Sequence, residues 1–182
     1  MGVRRVVTGH NADGKAIFAS DDEVESKTLS LLPGTEFYRF WGSDAVSAFP
    51  DDGSPPSAPR YFPPVGGFRF GMFTVGPDSV ASIEDLDMEA AMAEMHTKLP
   101  GLAEYLEPDS PGMHTTATID FEYVVSGRCV LELDDGATRE VGPGDVVVQN
   151  GTRHAWRNPF EEPCVMVVVL IGARHSGIST SE

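Results

Sequence analysis

The stretch that decides the fold reads His114-Thr115-Thr116-Ala117-Thr118-Ile119-Asp120-Phe121-Glu122-Tyr123-Val124-Val125, closed by Ser126-Gly127. Side chains on a strand alternate between two faces, so His114, Thr116, Thr118, Asp120 and Glu122 share one face while Ala117, Ile119, Phe121 and Tyr123 share the other. The first face is polar and the second apolar. A polar face turned toward a core needs a reason for being there, such as a ligand or a metal ion. Downstream, short apolar runs over 128–133, 138–141, 145–149, 154–157 and 164–171 continue the same grammar. They are separated by Asp134-Asp135-Gly136, Gly142-Pro143-Gly144 and Asn150-Gly151, residues that tolerate positive φ or preset a turn. His154, Trp156 and Asn158 repeat the alternation after the last of these turns. Many short strands with no helices between them predict an all-β sandwich or barrel.

Upstream, residues 4–8 and 15–20 read as two strands around an Asp13-Gly14 turn, and 28–32 and 35–41 as two more around Pro33-Gly34. Over 43–67 Pro, Gly, Asp and Ser dominate and no period survives, which predicts a long surface loop, either a lid or partner-binding segment or a mobile insertion. Residues 68–75 return to a strand, with Phe68, Phe70 and Met72 on one face. Asp87 is placed to cap a helix from Met88 to Lys98, where Met88, Ala91, Met92, Met95 and Leu99 recur at helical spacing, and Pro100 ends it. A second helical turn is expected over 102–106. The whole of 1–182 reads as one domain: a β extension and loop over 1–67, a strand plus helical insertion over 68–110, a β core over 111–173 and a loose polar tail over 174–182.

Charge narrows the partners. Thirteen Lys plus Arg against twenty-eight Asp plus Glu give −15, a field that repels phosphate backbones and anionic membrane surfaces. Nucleic acid and membrane are therefore not expected partners, and a DNA-binding regulator is disfavoured. The start of the chain does not resemble a signal peptide and no run is long enough to span a bilayer, so the expected location is the cytoplasm. Cys129 and Cys164 lie inside apolar runs without Cys-x-x-Cys spacing and read as two small buried hydrophobes.

The core resembles the cupin superfamily, in particular its small single-domain, type-2 members. The first cupin motif runs Gly, five residues, His-x-His, three or four residues, Glu, six residues, Gly; here His114-Thr115-Thr116, three residues, Asp120, six residues, Gly127 stand in that pattern. The second runs Gly, five residues, Pro-x-Gly, two residues, His, three residues, Asn; here Gly144, Gln149-Asn150-Gly151, His154 and Asn158 stand in it. The resemblance covers 111–172 and implies a jelly-roll β-barrel with one or two peripheral helices and an N-terminal β extension. It also implies a homodimer and a small organic molecule as ligand or substrate. The motif is degenerate. Thr116 replaces the second His, Asp120 replaces Glu, Pro108 replaces the first Gly, and Gln149 replaces Pro. The ligand set carried over is thus His114, Asp120 and His154 alone.

Two imidazoles and one carboxylate suit a divalent ion such as Fe, Mn, Ni or Zn, with coordination positions left open for chemistry, and Thr116 could hold a ligated water. A metal-free alternative has His114 and His154 facing each other across a pocket, with Asp120, or Glu122, orienting one imidazole as general acid or base. In a third reading these groups are hydrogen-bonded at a barrel mouth. Candidate catalytic residues are therefore His114, Asp120 and His154, with Thr116, Glu122, Trp156 and Phe70 expected against substrate. His10, His96 and His175 fall in a turn, a helix and a tail, outside this set. The activities implied are decarboxylase, dehydratase, isomerase or dioxygenase, against a non-catalytic small-molecule-binding module; one fold hosts all of them.

Overall fold

The turns of the second half deliver the strands they delimit. The computed structural model describes residues 2–80 and 86–178, so 179–182 of the expected tail lie outside the described residues. Among the described residues there are eleven strands and one α-helix: β1 (Val3–His10), β2 (Ala16–Val24), β3 (Lys27–Leu29), β4 (Leu32–Ser43), β5 (Phe68–Val75), α1 (Met88–Lys98), β6 (Thr118–Ser126), β7 (Cys129–Glu132), β8 (Thr138–Val141), β9 (Val146–Asn150), β10 (Ala155–Arg157) and β11 (Cys164–Gly172). A six-stranded antiparallel sheet has the order β3-β4-β5-β11-β6-β9, a three-stranded sheet the order β10-β7-β8, and β1 pairs with β2 in a two-stranded sheet. The fold is all-β, as the turn spacing predicted.

One core lies between the two larger sheets, where Val124 of β6, Cys129 of β7, Val141 of β8, and Cys164 and Met166 of β11 meet. A second core lies under α1, where Met95, Leu99 and Leu102 pack with Phe37, Phe62, Val168 and Leu170. The helix begins and ends where its sequence directs: the Asp87 carboxylate accepts a hydrogen bond from the Ala90 N–H, and the chain turns away at Leu99 before Pro100.

Over 44–61 the segment is irregular and mostly exposed, as expected of a surface loop, but its end turns inward. Phe62 in it is buried. Irregular backbone leaves carbonyls in need of donors, and two arginines of the sheet supply them. The Arg39 guanidinium donates to Ala58 O and Arg60 O; that of Arg69, itself 5% exposed, donates to Arg60 O and Ser43 O and pairs with Asp44. These bonds bend the end of the loop over the open end of the sheet and set Tyr61 and Phe62 against it.

Candidate functional site

The polarity of β6 is inverted relative to an ordinary barrel strand. Thr118, Asp120, Glu122 and Val124 are buried, while Phe121, Tyr123 and Val125 are exposed. Two carboxylates therefore enter the interior from one face of one strand. They line a cavity of about 160 Å³ together with His114, His154 and Trp156. Apart from Thr35 and Thr74, its remaining wall is largely apolar: Phe37 of β4, Phe73 and Val75 of β5, Val168 and Leu170 of β11, Tyr61 and Phe62 of the folded-back loop, and Leu102 and Leu106 after α1.

The two imidazoles are held side by side by their own backbones. His114 N donates to His154 O and His154 N to His114 O, both at 2.9 Å, in an isolated antiparallel bridge, and the rings lie 4.1 Å apart between centroids. Arginines flank this bridge. Arg153 makes a bidentate pair with Glu107, and Arg157 donates to Pro111 O and pairs with Glu132, which pins the 107–114 segment onto β10 and its approach. His114 Nδ1 lies 3.0 Å from Gly112 O and His154 Nδ1 lies 2.9 Å from Thr152 O. A carbonyl only accepts, so each Nδ1 carries the proton and each Nε2 keeps a lone pair.

Burial sets the charge states. The His154 pKa falls to about 4 through burial and the proximity of His114, and burial also lowers that of His114, so both rings are neutral at pH 7. The carboxyls move the other way. Burial raises Asp120 to about 6 against a hydrogen bond from Thr118, and burial followed by the charge of Asp120 raises Glu122 to about 8. At neutral pH the strand thus presents one carboxylate and one carboxylic acid two residues apart. Asp120 Oδ1 and Glu122 Oε2 have no hydrogen-bond partner in the protein, and neither has Gln149 Nε2 directly across from Asp120 on β9. Three unpartnered buried polar atoms in one neighbourhood are a costly arrangement that a ligand would relieve.

The expected site residues fall into two groups. His114, Asp120, His154, Glu122 and Trp156 line the one cavity. Thr116 does not; it is buried with its hydroxyl 2.8 Å from that of Thr118. Phe70 does not either. Strand parity turns Phe73 and Val75 inward and leaves Phe70 40% exposed on the outer wall against Phe40. Nor does the expected ligand set fit an ion as placed: among the described residues no three His, Cys, Asp or Glu side chains form a group that could hold a metal. Sequence reasoning missed Tyr61, Phe62, Leu102, Leu106 and Gln149. Only Gln149 carried a signal, since it stands where the second motif has Pro.

Residues 103–170 match the family model described as the cupin domain. The second half of the chain thus carries the cupin domain. Across 92% of its length it is 24% identical to the cupin-domain-containing oxidoreductase srdB of Neurospora crassa, covering 72% of that protein. Over 49 residues, 27% of each chain, it is 49% identical to the oryzines biosynthesis cluster protein J of Aspergillus oryzae. The chain thus matches about a quarter of the length of that relative. Among solved structures, the polyketide cyclase RemF of Streptomyces resistomycificus aligns over 84% of this chain and 82% of its own, at 17% identity and a TM-score of 0.43.

Proposed function

We propose that the barrel cavity is the active site of a small-molecule enzyme that moves protons by general acid–base catalysis without a resident metal, in the manner of an isomerase, dehydratase or other lyase. The observation that carries this reading is the pair of unpartnered carboxyl oxygens on Asp120 and Glu122, in a cavity that also holds two neutral imidazoles. Environments that push neighbouring titratable groups apart assign an acid and a base. Glu122, protonated at neutral pH, donates to a substrate carbonyl or hydroxyl oxygen. Asp120 accepts the proton released from carbon, with the His154 and His114 Nε2 atoms as further acceptors. Tyr61, its phenol raised above the usual range by burial and then by the charge of Asp120, stays protonated and serves as a second donor.

Cavity size and lining set the substrate class. A cavity of this volume accepts about one six-membered ring, and an apolar wall with one polar end fits a flat ring bearing a carbonyl or hydroxyl. Relatives named for biosynthesis clusters and for oxidoreduction support a small organic substrate.

The test is proton exchange. Incubated in D₂O with a panel of cyclic and aromatic ketones, the protein should accelerate loss of the acidic C–H signal. Glu122→Gln and Asp120→Asn should each slow it by about 100-fold or more, and a chelator should change nothing. Binding of the panel with no exchange would make the cavity a binding module. Stoichiometric Fe, Mn, Ni or Zn that disappears in His154→Ala would favour a metal-holding site.

A further inference from the structure

The chain has two cysteines, and the fold brings them together. Cys129 opens β7 in the three-stranded sheet and Cys164 opens β11 in the six-stranded sheet, two strands with no backbone pairing between them. Both are free thiols at 0% exposure, in one apolar cluster with Val124, Val141 and Met166, near enough that each shifts the titration of the other. Backbone geometry keeps this approach close. Gly127, at φ +71°, lies in the β6–β7 turn so near the chain entering β11 that a Cβ there would stand 2.1 Å from Pro163 O and 2.8 Å from Cys164 Cα. Only glycine permits that contact, and Cys129 follows two residues later.

We propose that Cys129 and Cys164 are an oxidation site, at which a peroxide converts the dithiol into a disulfide that joins the two sheets of the barrel. Either thiol, once ionised, is the nucleophile and its neighbour resolves it, here with Cys164 first. The Cys164 sulfur attacks one peroxide oxygen; an S–O bond forms, the O–O bond breaks, and the departing hydroxide leaves as water with a proton. The Cys129 sulfur then attacks the sulfenic sulfur; the S–S bond forms, the S–O bond breaks, and the second hydroxide leaves as water with the Cys129 proton. Two thiols lose two protons and two electrons, and one peroxide becomes two waters. Phe73, Val75 and Trp156 belong both to the cavity wall and to the cluster around the thiols, so movement of these side chains is the route. Hydrogen peroxide is small enough to follow it where a bulky disulfide is not.

Intact mass and thiol titration after graded hydrogen peroxide test the assignment in the full chain. The expected result is a loss of the mass of two hydrogens, a fall from two titratable thiols to none in denaturant, no linkage between chains, and full reversal by a dithiol reductant. Cys129→Ser and Cys164→Ser should instead gain oxygen on the remaining sulfur. Exposed Met88 is the internal clock, because thioethers react with peroxide more slowly than an activated thiol. Both thiols still titrating once Met88 is oxidised, or oxygen added to the wild-type thiols without the S–S link, would overturn the proposal.

Discussion

Asp120 and Glu122 tie the chemistry of the site to the stability of the fold through the same protons. Catalysis that needs Asp120 ionised and Glu122 protonated rises as pH passes about 6 and falls as it passes about 8. A bell with those limits is the expected profile of kcat/KM, and a flat profile from 5 to 9 would contradict the assignment. Stability follows from the same displacement. The folded state holds both protons to higher pH than the unfolded chain, so the contribution of these groups is fully present below about pH 4 and is lost as pH rises, through about 6 for Asp120 and about 8 for Glu122. His154, displaced downward to about 4, acts oppositely and weakens the fold as pH falls from about 6.5. From about pH 7 upward the Glu122 change is the larger of the two carboxyl effects. Glu122→Gln keeps the shape of the protonated acid and cannot ionise. It should be more stable than wild type at pH 8 by on the order of 3 kcal/mol, with the difference shrinking toward pH 5 in denaturant titrations. A variant that loses activity and gains stability is what a strained catalytic group predicts.

At the scale of elements, the second half of the chain was legible because each strand is bounded by glycine turns and each turn is local. β6 was legible for a subtler reason: its alternation fixed two faces, and the polar face had to point inward for the strand to make sense beside its exposed apolar one. What stayed hidden depends on contacts remote in sequence. Tyr61 and Phe62 come from a segment with no period, and they face the cavity because Arg39 and Arg69 capture its carbonyls. The convergence of His114 with His154 was readable as motif spacing, but whether Asp120 could complete a metal set with them depended on distances that spacing does not encode. The helix illustrates both sides. Its limits and cap follow from local residues, whereas its role comes from Met95 and Leu99, wholly buried against Phe37, Phe62 and Leu170. Met95→Ala should therefore cost about 3 kcal/mol in urea unfolding and loosen the wall formed by Leu102 and Leu106, reducing ligand affinity as well. Met88→Ala, on the exposed side of the same helix, should change stability by less than about 0.5 kcal/mol. Equal effects at the two positions would mean that α1 is not seated as described.

For the whole molecule, the inverted β6 places an apolar surface where a monomer would present a polar one. Phe121, Tyr123 and Val125 of β6, Val146 and Val148 of β9, Ile171 of β11 and Phe70 of β5 are each at least 39% exposed, and the register sets them beside one another: Phe121 faces Val148, Tyr123 faces Val146, and Val169 faces both Phe121 and Phe70. These seven side chains leave on the order of 500–600 Å² of apolar surface, at the upper end for a lone monomer and most of the roughly 800 Å² that each partner gives a stable pair. None of them is charged. At −15, two copies of this chain repel each other, least across a patch that carries no charge, and a pairing that puts the same face of each copy together closes with two-fold symmetry and leaves nothing open to a third chain. A second copy is therefore the expected occupant, and sedimentation should give twice the mass of the chain at micromolar concentration. Tyr123→Lys places one cation beside its own symmetry mate in the middle of that face without touching the cavity. It should shift the protein to monomer with an unchanged far-ultraviolet spectrum and unchanged ligand binding. A monomeric wild type, or a variant that remains paired, would require a different cover for the outer sheet.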